Sequence, residues 1–170
     1  RANILLDVSE SMSFKDMGSM SKMDYGCHLA AALMYVMINQ GDSTSMATFD
    51  DDLRDSYEPA ATLGALRPML EGLEGIVPKG ESNIQKALAK ATEFFKGRSM
   101  MVIISDLLQD PRETLKGIGS LSYAGHDVTV FHVLDPAEIR LPQEGLIEVE
   151  FLESGRKMNI DLTDFRDLYL

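Results

Sequence analysis

Ile4-Leu5-Leu6-Asp7-Val8-Ser9-Glu10-Ser11 is an apolar run that stops at a carboxylate and then sets two hydroxyls at alternate positions. A short apolar run closed by polar punctuation reads as a buried strand. Its polar atoms then sit at the carboxyl end, which in an open parallel sheet is the edge where ligands bind. The donor set is restrictive. One anionic oxygen and two neutral hydroxyls make half of an oxygen-only cage for a hard divalent cation such as magnesium. The same residues also suit a plain strand end, with Ser9 and Ser11 bonding locally to backbone in a turn.

Other stretches bring groups to the same edge. Met100 to Ser105 is apolar on both faces, as a central parallel strand is, and it ends at Asp106. Pro78-Lys79-Gly80-Glu81-Ser82-Asn83 is a flexible loop leading into a helix with Ile84, Ala87, Leu88, Ala91 and Phe95 on one side. Ser82 with Gln85 fits a capping box, although a hydroxyl has two lone pairs and one oxygen can serve a helix and still face a metal. Asp110-Pro111-Arg112-Glu113 is a helix start, which assigns Asp110 to capping.

The rest of the chain alternates strands and helices. Residues 12–21, rich in Ser, Met and Gly, read as a mobile loop. A helix from Lys22 to Gln40 places Leu29, Leu33, Val36 and Met37 on one face and stops at Gly41, as the crossover of a βαβ unit. Thr44 to Phe49 reads as a strand and Leu53 to Tyr57 as an edge strand, with Asp50-Asp51-Asp52 a solvated turn between them. Leu63, Leu66, Met69, Leu70 and Leu73 form a helical face interrupted by Pro68. A helix to about Tyr123 and a strand from Asp127 to Val133 follow. His28, His126 and His132 are scattered and read as structural or solvated. In the tail, Leu146 to Leu152 and Lys157 to Leu162 alternate around Glu153-Ser154-Gly155-Arg156 as a hairpin, and Thr163 to Leu170 opens a helix. The pattern predicts a three-layer α/β, Rossmann-like fold: a mostly parallel central sheet with one antiparallel edge strand, plus the carboxyl-terminal β-hairpin.

Composition narrows the function classes. The 170 residues suit one domain, with 45% apolar and 25% charged residues. A net charge of -11 repels nucleic acid and anionic membrane. The single cysteine, Cys27, rules out a disulfide framework and reads as a small core residue. No apolar run approaches a membrane span, so this segment is expected not to insert in a bilayer. The chain starts at Arg1 straight into a strand, which reads as a piece of a longer protein whose missing segment could carry an anchor.

Asp7, Ser9 and Ser11 after the first strand, Ser82 before a helix and Asp106 after a later strand resemble, in this order, the metal ion-dependent adhesion site of von Willebrand factor A domains. The resemblance implies that two serines and a threonine-type hydroxyl hold a divalent cation while the two aspartates act largely through bound water. Ser82 stands where that family more often has threonine. Lys22-Met23-Asp24-Tyr25-Gly26, Phe49-Asp50-Asp51, Ile104-Ser105-Asp106-Leu107 and Phe131-His132-Val133-Leu134-Asp135-Pro136 are similar to a bacterial branch of these domains, the domain-of-unknown-function family fifty-eight. This resemblance spans nearly the whole chain and implies a von Willebrand factor A-like domain over residues 1–170, encoded beside MoxR-type AAA+ ATPases. It further implies a cytoplasmic, non-enzymatic module that binds Mg2+, or Mn2+ or Ca2+. Such a cation could be completed by an Asp or Glu of a protein partner, with a MoxR-type ATPase as a candidate partner. The alternatives are a metal-free scaffold and a metal-dependent hydrolase, although no residue is placed as nucleophile or base for the latter.

Overall fold

The computed structural model describes residues 1–139, 146–151 and 156–161. Strand β1 (Ala2–Asp7) lies at the centre of a five-stranded sheet between β2 (Thr44–Phe49) and β4 (Met100–Ser105), with β5 (Asp127–His132) outside β4 and β3 (Leu53–Ala60) outside β2. All neighbours are parallel except β2 and β3, which pair antiparallel and place β3 at the edge. The expected α/β sheet is the one observed.

Every residue of β1 and β2 is buried, as expected of strands covered on both faces. Even-numbered side chains of β1 (Ile4, Leu6) join Val102 and Ile104 of β4 in a core roofed by helices α1 (Lys22–Asn39) and α2 (Leu63–Glu74). Leu5 points the other way, with Ala47, Phe49, Met101 and Ile103, under helices α3 (Ile84–Phe94) and α4 (Pro111–Tyr123). One layer of helix on each face results. Since successive strands run outward from β1 in opposite directions, its carboxyl end is the topological switch point of the sheet.

Several local expectations need correction. The buried stripe of α1 is Met23, Gly26, Ala30, Met34 and Ile38; Leu29, Leu33 and Met37 are half-buried and Val36 is exposed. Gly26 is buried because α1 crosses β1 there so closely that a Cβ would lie 3.0 Å from Leu6 Cδ1. Pro68 sits inside α2 without ending it. Asp50 is buried and ion-paired with Arg54 at 2.6 Å, so the aspartate turn is solvated only in part. Cys27 is half-buried in the wall of a cleft between α1 and α2, and burial pushes its thiol up to about 11. Asp110 does cap α4, accepting from Arg112 N at 2.7 Å.

Residues 12–21 are held rather than mobile. A 3-10 turn covers Glu10–Ser13, and beyond it the Asp135 carboxylate accepts from the backbone N–H groups of Asp16 (3.2 Å), Met17 (3.1 Å) and Gly18 (2.9 Å). Gly18 lets this carboxylate sit close, since a Cβ there would lie 2.7 Å from Asp135 Oδ2 and would push it aside. Burial alone would raise the Asp135 carboxyl, but the N–H groups of Ala137, Asp16, Gly18 and Met17 hold it below the usual range. Asp135→Ala is therefore expected to speed amide exchange at residues 16–18 by at least about tenfold while the sheet amides stay protected. Unchanged exchange at those amides would show that the loop is held by something else.

In the tail, Leu146–Phe151 (β6) and Arg156–Asp161 (β7) pair antiparallel as a separate two-stranded ladder. The turn expected at 153–156 falls largely, and the helix expected at 163–170 entirely, outside the described residues.

Candidate functional site

The carboxyl end of β1 gathers its polar groups from three directions. Asp7 is 1% exposed, and its two oxygens are fully engaged. Oδ1 accepts from Ser9 N (3.0 Å) and Ser9 Oγ (2.7 Å), and Oδ2 accepts from Ser105 Oγ at 2.6 Å. Ser9 and Ser11 are both buried, with their hydroxyl oxygens 3.2 Å apart. Burial pushes the Asp7 carboxyl up to about 6, against the bonds from Ser105 and Ser9 that pull it down, and the nearby Asp106 charge adds to the rise.

The loop before α3 is stitched onto this edge by backbone. Lys79 N donates to Val8 O (3.0 Å) and Glu10 N to Gly80 O (2.9 Å), while Asn83 N donates to Asp50 O (2.9 Å). Gly80 has φ +76, a left-handed conformation that glycine adopts without strain. Ser82, half-buried in this loop, does not cap the helix. That role belongs to Asn83, whose side chain accepts from Lys86 N at 3.0 Å. The Ser82 hydroxyl is thus not committed to the helix end, contrary to the capping-box expectation.

Asp106 arrives from β4. Its Oδ2 accepts from Lys22 Nζ at 2.7 Å and its Oδ1 from Leu108 N at 3.2 Å. Leu107 between them has φ 52, a left-handed conformation that costs a leucine strain and is tolerated where surrounding structure fixes it. Lys22 also reaches Glu138 Oε1 at 2.8 Å. Burial works against the Lys22 ammonium, but the charges and hydrogen bonds of Asp106 and Glu138 outweigh it and raise its pKa. His132, the last residue of β5, bonds the Asp106 main-chain oxygen at 2.9 Å. His126 lies at the opposite edge, bonded to Ser99, and His28 to the Asp24 carbonyl.

Asp7, Ser9, Ser11 and Asp106 thus come to one edge, with the Ser82 loop anchored to the same strand end. Ser105, Lys22 and Glu138 were not singled out from the sequence. The signal available for Lys22 was a basic residue at the first position of a helix, where the macrodipole favours an acid.

The donor chemistry fits a small hard cation. Octahedral magnesium with oxygens at about 2.0–2.1 Å needs neighbouring ligands about 3 Å apart, close to the 3.2 Å between Ser9 Oγ and Ser11 Oγ. Among the described residues no group of three or more His, Cys, Asp or Glu side chains is arranged to hold a metal.

Residues 2–169 match the model of the family described as "Protein of unknown function DUF58". An uncharacterised protein of Mycobacterium tuberculosis is 27% identical over 165 residues, covering 93% of this chain and 50% of its own length. The chain therefore spans about half the length of the curated relatives it matches. Among solved structures, an aerotolerance-related membrane protein from Bacteroides fragilis superposes with a TM-score of 0.66 at 23% identity, covering 96% of this chain and 82% of that one. A von Willebrand factor type A structure from Catenulispora acidiphila gives a TM-score of 0.50 at 16% identity, covering 76% of this chain and 31% of that one. The fold is von Willebrand factor A-like. No helix among the described residues is long and apolar enough to cross a membrane.

Proposed function

Because the chain belongs to the DUF58 family, whose function is unknown, we propose on chemical grounds that it is a protein-interaction module working through a divalent cation at the end of β1. The observation that carries this reading is the pair of buried hydroxyls, Ser9 and Ser11, 3.2 Å apart at the switch point of the sheet. Ser9, Ser11 and Ser82 would hold the cation, with Asp7 and Asp106 in its outer shell. Mg2+ is the preferred ion, with Mn2+ or Ca2+ as substitutes.

Neutral inner ligands leave the ion most of its charge. It can then accept a carboxylate from outside, and an Asp or Glu of a partner protein is the natural donor. A MoxR-type AAA+ ATPase is the partner suggested by the family resemblance. The reading includes no catalytic step: the Asp7 and Asp106 carboxylates are engaged by hydrogen bonds, and His132 is bonded to the Asp106 main-chain oxygen.

A metal-free scaffold is the second reading, favoured by the way Asp7, Ser9, Ser11 and Ser105 satisfy one another. Calorimetric titration of Mg2+ and Mn2+ into the EDTA-stripped domain, with and without acetate, separates the two. Saturable binding that tightens with acetate is expected. Absence of binding in both conditions would leave the scaffold.

A further inference from the structure

Lys22 is locally the wrong residue. It is the first residue of α1, where the helix macrodipole disfavours positive charge, and its side chain is only 2% exposed. An apolar side chain would fill this position without the desolvation cost, and a buried ion pair is weak grounds for stability. Yet the ammonium is fixed from three sides. Asp106 Oδ2 lies at 2.7 Å, Glu138 Oε1 at 2.8 Å, and the Phe14 ring centroid at 5.5 Å. A locally unfavourable residue with this much surrounding support marks a functional position.

We infer that Lys22 is the built-in counter-charge of the hydroxyl site, neutralising Asp106 so that a divalent cation bound by the serines keeps its charge for an external carboxylate. This rests on the metal reading proposed above and names how the site's affinity is set. Both Asp106 oxygens are already engaged, one by Lys22 and one by Leu108 N, so the carboxylate is held back from direct ligation. Glu138 in turn draws part of the ammonium's charge away from Asp106. Its other oxygen accepts from Asp135 N at 2.6 Å, which fixes it to the segment that also pins residues 16–18. Lys22 acts as a positioning residue. It does not touch the partner.

The charge argument gives the two neighbours opposite signs. Lys22→Met removes a positive charge beside the cation and frees a carboxylate, so Mg2+ is expected to bind on the order of tenfold more tightly while the tightening by acetate shrinks. Glu138→Gln leaves the ammonium to Asp106 alone, so Mg2+ is expected to bind about threefold more weakly. Lys22→Arg keeps the charge and is expected to restore affinity to within about twofold of the parent. Calorimetry on the three variants and the parent reads these shifts, with thermal unfolding as the check on folding. A merely structural Lys22 would weaken binding in both charge variants, and that result would overturn the inference, as would unchanged affinity. If Lys22→Met does not fold, Lys22→Gln takes its place, with the same expected tightening of Mg2+ binding set against the weakening in Glu138→Gln. A parent that binds no Mg2+ would remove the metal reading and this inference with it, whereas a parent that binds without the opposed shifts removes the inference alone.

Discussion

Asp7→Asn is expected to abolish magnesium binding and yet to unfold, in EDTA at pH 7, at a higher temperature than the parent domain. The two effects share a cause. Asp7 is buried, and burial pushes its carboxyl up to about 6. An unfolded aspartate titrates near 3.9, so the folded chain holds this proton more tightly than the unfolded one. The protonated carboxyl therefore contributes stability in full below pH of about 4, and that contribution disappears as the pH rises through about 6. At pH 7 the ionised group sits in the core without it, at a cost of up to about 3 kcal/mol from the shift alone.

Asparagine removes the charge but cannot accept the Ser105 hydroxyl at its nitrogen, so the net gain is expected to be about 1–2 kcal/mol, or about 3–6 °C. The parent should also gain stability between pH 7 and 5, and the variant should not. Asp50, Asp52 and Asp135 titrate below the usual range, so the acid loss they cause falls lower, outside that window. A variant less stable than the parent at pH 7 would mean that Asp7 is a structural hydrogen-bond hub first. Metal binding that persists would place the cation elsewhere.

What could be read from the sequence depended on whether the deciding partners were near in the chain. β1 and β4 were legible because strands buried on both faces are mainly apolar, and a carboxylate stands at the carboxyl end of each, Asp7 closing β1 and Asp106 directly following β4. Helix α1 was legible as a helix, but its inward face was misjudged because apolar residues surround nearly the whole cylinder and leave no clear stripe. The loop at 12–21 lacks any local pattern, and the group that orders it, Asp135, lies 117 residues from Gly18. Lys22 likewise finds Asp106 and Glu138 at separations of 84 and 116 residues. Ser82 was misjudged by one position: Asn83 outcompetes it as the cap because the chain enters α3 one residue later.

The crossing of α1 over β1 should show itself in a double-mutant cycle between Leu6 and Gly26. Leu6 is completely buried in the core beneath α1, and Leu6→Ala is expected to cost about 3–4 kcal/mol through lost transfer energy and the cavity left behind. Gly26→Ala alone offers about 1 kcal/mol of helix propensity. It also places a methyl 3.0 Å from Leu6 Cδ1 and 3.5 Å from Ile104 Cγ2 and Met12 Cε, so the gain is expected to be cancelled by crowding. In the Leu6→Ala background the closest of those contacts is gone and the new methyl enters the vacated space. The pair is therefore expected to be more stable than additivity predicts, by about 1–2 kcal/mol in urea unfolding. Additivity within about 0.5 kcal/mol would mean that the helix settles onto the sheet once Leu6 is trimmed, leaving no room to refill. That outcome would also move the site, because Leu6 directly precedes Asp7 and α1 begins at Lys22. The close approach of Gly26 to Leu6 lies between the strand that presents the hydroxyls and the helix that carries the ammonium, and metal affinity measured across the cycle is expected to follow the packing energy.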